Sequence, residues 1–194
     1  MTDLVQQPAS GARTRAPGRQ AEPASVVASR ALDLVGENPA AAMALAEDAL
    51  VLARRQRDGA ATTTALRAQG FAARATGELG VAEERLRRAV RLALRRGDDH
   101  SAAEARMTLS FVLLDAGRVR AALRQSGLAS TVLDGVEGAR LLAQHGLILQ
   151  RCGREAAAME TYSVAVSRLR EAGDEAWEAG LRSNRGILLA YRGD

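Results

Sequence analysis

Two side chains of this 194-residue chain, Cys152 and His145, have the chemistry of a nucleophile–base pair. They lie seven residues apart in a segment whose apolar residues follow a helical period. Seven residues of helix span about 10 Å, whereas a thiol and an imidazole must come within about 3 Å of each other to react together. His100 lies in a junction between repeats, and two histidines and one cysteine without grouped carboxylates do not make a zinc site. We therefore predict that this chain is not an enzyme and has no catalytic residue, metal site or cofactor.

Glycine pairs such as Gly77 and Gly80 are a second candidate for chemistry, because glycine-rich loops can bind phosphate. A phosphate loop follows a β-strand and is followed by lysine or threonine, and neither surrounds these glycines. Glycine also ends helices, where it takes a positive φ angle at little cost. The pairs therefore indicate turns between helices.

The densest charged stretch contains four arginines on one helical stripe, Arg85, Arg88, Arg91 and Arg95, and this pattern favours a solvated outer helix face. An acidic partner or nucleic acid is the alternative. All 27 positive charges of the chain are arginine, yet the net charge is only +4, and the stripe has no aromatic residue on which a base could stack. Nucleic acid is therefore not an expected partner.

The stretch from Thr64 to Arg96 is predicted to form two amphipathic helices joined by a tight turn. Small residues at Gly70, Ala82 and Ala89 would let the two backbones approach closely, with Leu86 filling the space beside them. The pattern recurs after 40, 36 and 40 residues, with Gly70 replaced in turn by Ser110, Gly146 and Gly186. A degenerate copy precedes it at Ala42, Ala46 and Ala49. Four copies in register indicate a repeat protein.

The spacing within this unit resembles the tetratricopeptide (TPR) signature, carried here by Gly70, Ala73, Gly77, Ala82, Leu86 and Ala89. The resemblance implies an all-α, right-handed solenoid of antiparallel helix pairs with about four and a half repeats. We expect the third pair to be Ser101–Ala116 and Val119–Leu133, and the fourth to be Glu137–Arg151 and Glu155–Ala172. Glu175–Tyr191 would be the first helix of a fifth pair.

Two regions are expected along the chain. Residues 1–23 are rich in proline, glycine and arginine and are predicted to be a disordered tail. Residues 24–194 form the repeat domain, which stops within the fifth repeat, where a second helix would start. Leu181, Ile187 and Leu188 would have packed on that helix. We therefore expect a longer protein, with its own C-terminal effector domain over the last helix, or a second subunit that covers it.

In repeats of this family the first helices line a concave groove that binds partner peptides. Asn184 matches a position where related repeats place an asparagine that hydrogen-bonds the peptide backbone. Because several groove positions are arginine, we expect a protein or peptide partner with acidic and aliphatic residues. Carrying the groove positions over gives Arg67, Phe71, Arg74, Met107, Phe111, Arg140, Gln144, Leu147, Asn184 and Ile187.

The amino-acid sequence of the later repeats is similar to that of the N-terminal TPR region of actinobacterial CHAT-domain proteins. In those proteins the repeats precede a caspase-like protease. The similarity is carried by Gly146–Arg154 and by Trp177, Asn184 and Tyr191. It implies a non-catalytic scaffold or sensor that regulates such a protease. Two alternatives remain, namely the repeat portion of a transcriptional or signalling regulator and a stand-alone oligomerising adaptor.

The predicted location is the cytoplasm. The single cysteine excludes an internal disulfide, as is usual in a reducing compartment. No apolar run approaches the roughly 18 residues that span a bilayer, and the N-terminus has no apolar signal segment. We therefore expect no membrane partner.

Overall fold

The computed structural model describes residues 22–192, with side chains described as far as Gly186. The predicted tail, apart from Glu22 and Pro23, lies outside this range. Within it the chain is entirely helical. The helices are α1 Ala24–Leu34, α2 Pro39–Gln56, α3 Gly59–Ala75, α4 Leu79–Arg95, α5 Asp99–Asp115, α6 Val119–Ser130, α7 Gly135–Arg151, α8 Glu155–Glu171 and α9 Glu175–Arg192.

The helices pack in two layers. Each helix contacts the next one along the chain, and connections of two to four residues make neighbours antiparallel. Of the odd-numbered helices, α1, α3, α5 and α7 also contact one another in sequence, whereas even-numbered helices of the described part make no comparable contacts. We call the odd helices inner and the even helices outer, since the array must bend toward the layer in which they lie closer together. The predicted all-helical array of packed pairs is confirmed.

The spacing of the repeats follows from the length of the helices. From α3 onward, the starts of successive inner helices lie 40, 36 and 40 residues apart. A 34-residue repeat is usual for TPR proteins. The extra residues are in the helices, since most of those from α2 onward have 17 or 18 residues.

A single type of turn connects most of these helices. After α4, Gly97 takes φ +69°, and the backbone N–H of Asp98 donates to the carbonyl oxygen of Ala93 at 3.0 Å. The Asp98 carboxylate then accepts from the backbone N–H of Ser101 at 3.0 Å and caps α5, which holds the pKa of Asp98 below its usual value. The same residue thus ends one helix and starts the next. Left-handed glycines stand at the equivalent position after four other helices, at Gly77, Gly117, Gly153 and Gly173.

The two helices of a pair approach closely where a small residue faces a large one. A Cβ atom on Gly70 would lie 2.4 Å from Cγ of Leu86, and one on Gly146 would lie 2.5 Å from a ring carbon of Tyr162. Tyr162 is fully buried, and its hydroxyl donates to Oε1 of Gln150 at 2.6 Å. Burial raises the pKa of this phenol to about 12. The register of small and large residues predicted from the sequence is therefore the register of the core.

Helix α6 ends earlier than predicted, at Ser130 instead of Leu133. The next connection passes so close to α7 that a Cβ on Gly138 would lie 1.9 Å from the carbonyl oxygen of Leu133. The chain must leave the helix early to make this approach. The hydroxyl of Ser130 donates back to the carbonyl oxygen of Gly127 at 3.1 Å, which satisfies an acceptor at the helix end. This missing turn of helix is the reason that one repeat has 36 residues.

The expectation for Leu181 was also wrong. This side chain is 4% exposed and belongs to a core cluster with Ala143, Tyr162 and Leu169, because α9 packs against α8. It is not part of an uncovered face. The side chains of Ile187 and Leu188 lie outside the described residues.

Replacing Gly146 by alanine should lower the free energy of unfolding by about 1–3 kcal/mol, because the new methyl group overlaps the buried Tyr162 ring. Gly186→Ala is the matched control, since nothing lies within 4 Å of its Cβ position. The control should gain about 0.5–1 kcal/mol through helix propensity. Urea titrations followed by circular dichroism would measure both. Equal effects at the two sites would contradict the close-approach explanation.

Arg57 occupies the left-handed turn position that glycine fills elsewhere, with φ +55°. Arg57→Gly should therefore raise the free energy of unfolding by about 1 kcal/mol, since a side chain is disfavoured in this conformation. Arg55→Gly, within α2, should instead lower it by about 1 kcal/mol. The same titrations apply, and destabilisation by Arg57→Gly would show that its side chain makes a stabilising contact.

Candidate binding groove on the inner helices

The predicted groove residues lie on α3, α5, α7 and α9, as expected, but the structure does not bring all of them together in one site. Gln144 and Leu147 on α7 and Asn184 on α9 line a cavity of about 470 Å³ between these two helices. Small residues make the room for it, at Ala143, Ala176 and Gly180, and Trp177 and Leu181 supply apolar wall.

A second cavity, of about 280 Å³, continues from the first across α5 toward α3. Gln144 and Trp177 line both, so the two cavities are adjacent, and we refer to them together as the groove. Arg67, Arg140 and Met107 of the predicted set belong to this second part. Met107 was expected to contact a partner, but its side chain is only 1% exposed and belongs to the hydrophobic core.

Trp177 is the important residue of this site that the groove prediction missed. It is half-buried at the junction of the two cavities, and the guanidinium of Arg140 lies over its ring, 5.7 Å from the ring centre. Its residue type could have identified it from the sequence, because it is the single tryptophan of the chain and lies in the first turn of an inner helix.

The arginines of this groove are paired with carboxylates of the next inner helix. Arg67 on α3 lies 2.6 Å from Glu104 on α5. Arg140 on α7 contacts Oδ2 of Asp174, at the start of α9, through Nη2 at 2.6 Å and Nε at 2.7 Å. These pairs are partly buried and link one repeat to the next.

A separate cluster joins α3, α5 and α7 at the other end of these helices. The carboxylate of Asp115 accepts from Nε of Arg74 at 2.6 Å and from Nη2 of Arg151 at 3.0 Å. Arg74 also lies over the Phe111 ring, 5.3 Å from its centre. Burial alone would raise the pKa of Asp115, but the hydrogen bonds and charges of the two arginines hold it below its usual value. Arg74 and Phe111 thus connect repeats.

An acidic partner was expected because several predicted groove positions are arginine. Since Arg67, Arg74 and Arg140 each already face a carboxylate, these arginines do not call for an acidic partner. Sequence spacing could not show this, since each carboxylate comes from a helix of the following repeat. Phe71 is 36% exposed but lines neither cavity. The side chain of Ile187 lies outside the described residues.

The side chains of His145 and Cys152 have different surroundings. Nδ1 of His145 lies 2.8 Å from Oγ of Ser126 on α6, and burial lowers the pKa of this imidazole. Burial raises the pKa of the Cys152 thiol, which opposes formation of the nucleophilic thiolate. Among residues 22–192 no three metal-ligating side chains lie close enough together to hold an ion.

Comparison with known proteins gives no family assignment, since no protein-family model matches the chain and no curated protein matches it. In the part of the chain that the structure describes, none of the helices has the length and apolar character needed to cross a bilayer. The groove geometry is therefore the basis on which a function can be assigned.

Asp115→Asn should lower the free energy of unfolding at neutral pH by about 1 kcal/mol, the value of a charged hydrogen bond discounted for solvent screening. Because the folded pKa of Asp115 is depressed, its contribution is present above the unfolded pKa of about 3.9 and is lost as the pH falls through the folded pKa. In urea titrations, the difference in the free energy of unfolding between the variant and the wild type should therefore shrink as the pH falls below about 3.9. A difference independent of pH would contradict the ionic role.

Proposed function

We propose that this chain is a non-catalytic interaction module that binds an extended segment of another protein in the groove over its inner helices. The observation that carries the proposal is the cavity between α7 and α9. Its apolar walls are Leu147, Trp177 and Leu181, and two side-chain amides, Gln144 and Asn184, stand on opposite helices beside it. Apolar pockets with a few convergent polar groups are the usual form of binding sites.

The cavity suits one bulky apolar side chain of the partner. Each amide offers one donor group and one acceptor, which matches the alternating groups of an extended peptide backbone. Burying a leucine-sized side chain contributes about 1.5–3 kcal/mol, and two hydrogen bonds add about 1–3 kcal/mol. The sum is at most about 6 kcal/mol, which corresponds to a Kd no tighter than tens of micromolar. A tight partner must therefore also contact the second cavity near Arg67 and Glu104.

The type of helical repeat and the type of partner protein are proposed from the resemblance to TPR and CHAT-domain proteins. We propose a right-handed TPR-like solenoid, supported by the small–large register of Gly70 with Leu86 and Gly146 with Tyr162. We propose as partner an effector such as a CHAT-type protease, in the cytoplasm, on the similarity of Gly146–Arg154 and its neighbours. The alternative of an oligomerising adaptor has less support. It was based on three apolar residues expected to be uncovered on the last helix, and one of them, Leu181, is buried within the chain.

Gly180→Leu tests the groove directly. Gly180 lines the cavity and has open space at its Cβ position, so a leucine there fills the cavity without a clash. Peptides would first be selected for binding to the wild-type chain from a displayed random library. We expect Gly180→Leu to weaken their binding at least about tenfold, measured by isothermal titration calorimetry, because the apolar anchor loses its place.

Gly186→Leu is the matched control. It makes the same chemical change on the same helix, also into open space, but outside the cavity. Binding should change less than about twofold in this variant. Selected peptides that bind equally to the wild type and to Gly180→Leu, or a failure to select any peptide, would contradict the proposed function.

A further inference from the structure

The C-terminal ends of two outer helices carry exposed arginines that have no carboxylate partner. We call this group the outer arginine cluster. None of its members forms an ion pair within the described residues, whereas the inner-helix arginines Arg67, Arg74 and Arg140 all do. The cluster consists of Arg54, Arg55 and Arg57 at the end of α2 and Arg91, Arg95 and Arg96 at the end of α4.

The two helix ends lie side by side. The Arg96 guanidinium rests over Gly59, the first residue after the turn that ends α2, so that a Cβ on Gly59 would lie 2.0 Å from Nη1 of Arg96. Arg91 and Arg95 are one turn apart on the same exposed stripe of α4. The contact of Arg96 with Gly59 places the C-terminal end of α4 beside the turn after α2, and the other arginines of the cluster lie within about one and a half helical turns of these two ends.

The carboxylates nearest to the outer arginine cluster are Asp58 and Asp98, in the turns after α2 and α4. Each accepts a backbone hydrogen bond that caps the next helix, and neither forms an ion pair with an arginine of the cluster. Glu83, at the opposite end of α4, pairs with Arg87 and with Arg118 of the following repeat. A helix C-terminus favours positive charge, but this effect is limited to the last turn and contributes about 0.3–1 kcal/mol per charge. It applies to Arg57, the C-cap residue of α2, but it does not account for Arg91 within α4.

Exposed aliphatic side chains stand among these arginines. Val51 on α2 is 45% exposed and Leu94 on α4 is 42% exposed. Each lies within one helical turn of a cluster arginine, Arg54 and Arg91 respectively. The surface thus offers both positive charge and apolar contact.

We propose that the outer arginine cluster binds an acidic segment of a partner protein in which aliphatic residues alternate with aspartate and glutamate. Carboxylates complement the unpaired guanidinium groups, and aliphatic side chains complement Val51 and Leu94. A nucleic-acid backbone would leave these two side chains unused, and neither α2 nor α4 contains an aromatic residue on which a base could stack. This second surface is independent of the inner groove, since it lies on the other layer of helices.

The test is the binding of a fluorescent peptide made of repeated Glu-Leu-Asp-Glu units to the whole chain, followed by fluorescence anisotropy at physiological ionic strength. The variant Arg54→Gln/Arg55→Gln/Arg91→Gln/Arg95→Gln should bind it about tenfold more weakly or worse, because several exposed ionic contacts each contribute about twofold. Arg57 and Arg96 are left unchanged, since their positions in turns affect folding.

The matched control removes the same net charge from exposed outer arginines elsewhere, Arg120→Gln/Arg124→Gln/Arg154→Gln/Arg168→Gln, and should change binding less than about twofold. A peptide with serine in place of leucine should bind the wild type several-fold more weakly. If both variants lost the same amount of affinity for the peptide, net charge alone would explain the binding, and the proposal would be overturned. Equal binding of the serine peptide, or tighter binding of a duplex oligonucleotide of equal charge, would also overturn it.

Discussion

The close approach of the two helices within a pair is the constraint on which this molecule depends. Gly70 lies against Leu86 and Gly146 lies against Tyr162 so closely that no Cβ atom fits between them. In these two pairs one small and one large residue set the distance between the helices, and alanine supplies much of the remaining core. The chain thus builds its array with an aromatic content of only 3%.

The groove is a consequence of the same architecture. Short turns of the same backbone type connect long helices, and the inner layer aligns residues that are 36 or 40 residues apart in sequence. Ion pairs such as Arg74 with Asp115 and Arg140 with Asp174 join neighbouring inner helices. Between α7 and α9, small residues replace larger ones, so that the surface opens into a cavity beside Trp177. The paired arginines position this groove, while unpaired arginines remain on the outer layer.

Sequence periodicity was sufficient to predict the helices, most of their turns and the facing of small and large residues, because these depend on contacts within one repeat. It could not predict that Asp115 neutralises Arg74, a partner 41 residues away, or that Met107 and Leu181 would be buried. These outcomes depend on how one repeat packs on the next. The early end of α6 was missed for a related reason, since it follows from the contact of Leu133 with Gly138 on the following helix.

The most direct test of the central claim, that the groove beside α9 binds a peptide, is the fluorescence of Trp177, the single tryptophan of the chain. A peptide selected for binding would be titrated into the wild-type protein while the emission spectrum is recorded. Because Trp177 is half-buried at the junction of the two cavities, an occupant should exclude water from its ring and shift the emission to shorter wavelength. Saturable peptide binding with an unchanged emission spectrum would contradict the account.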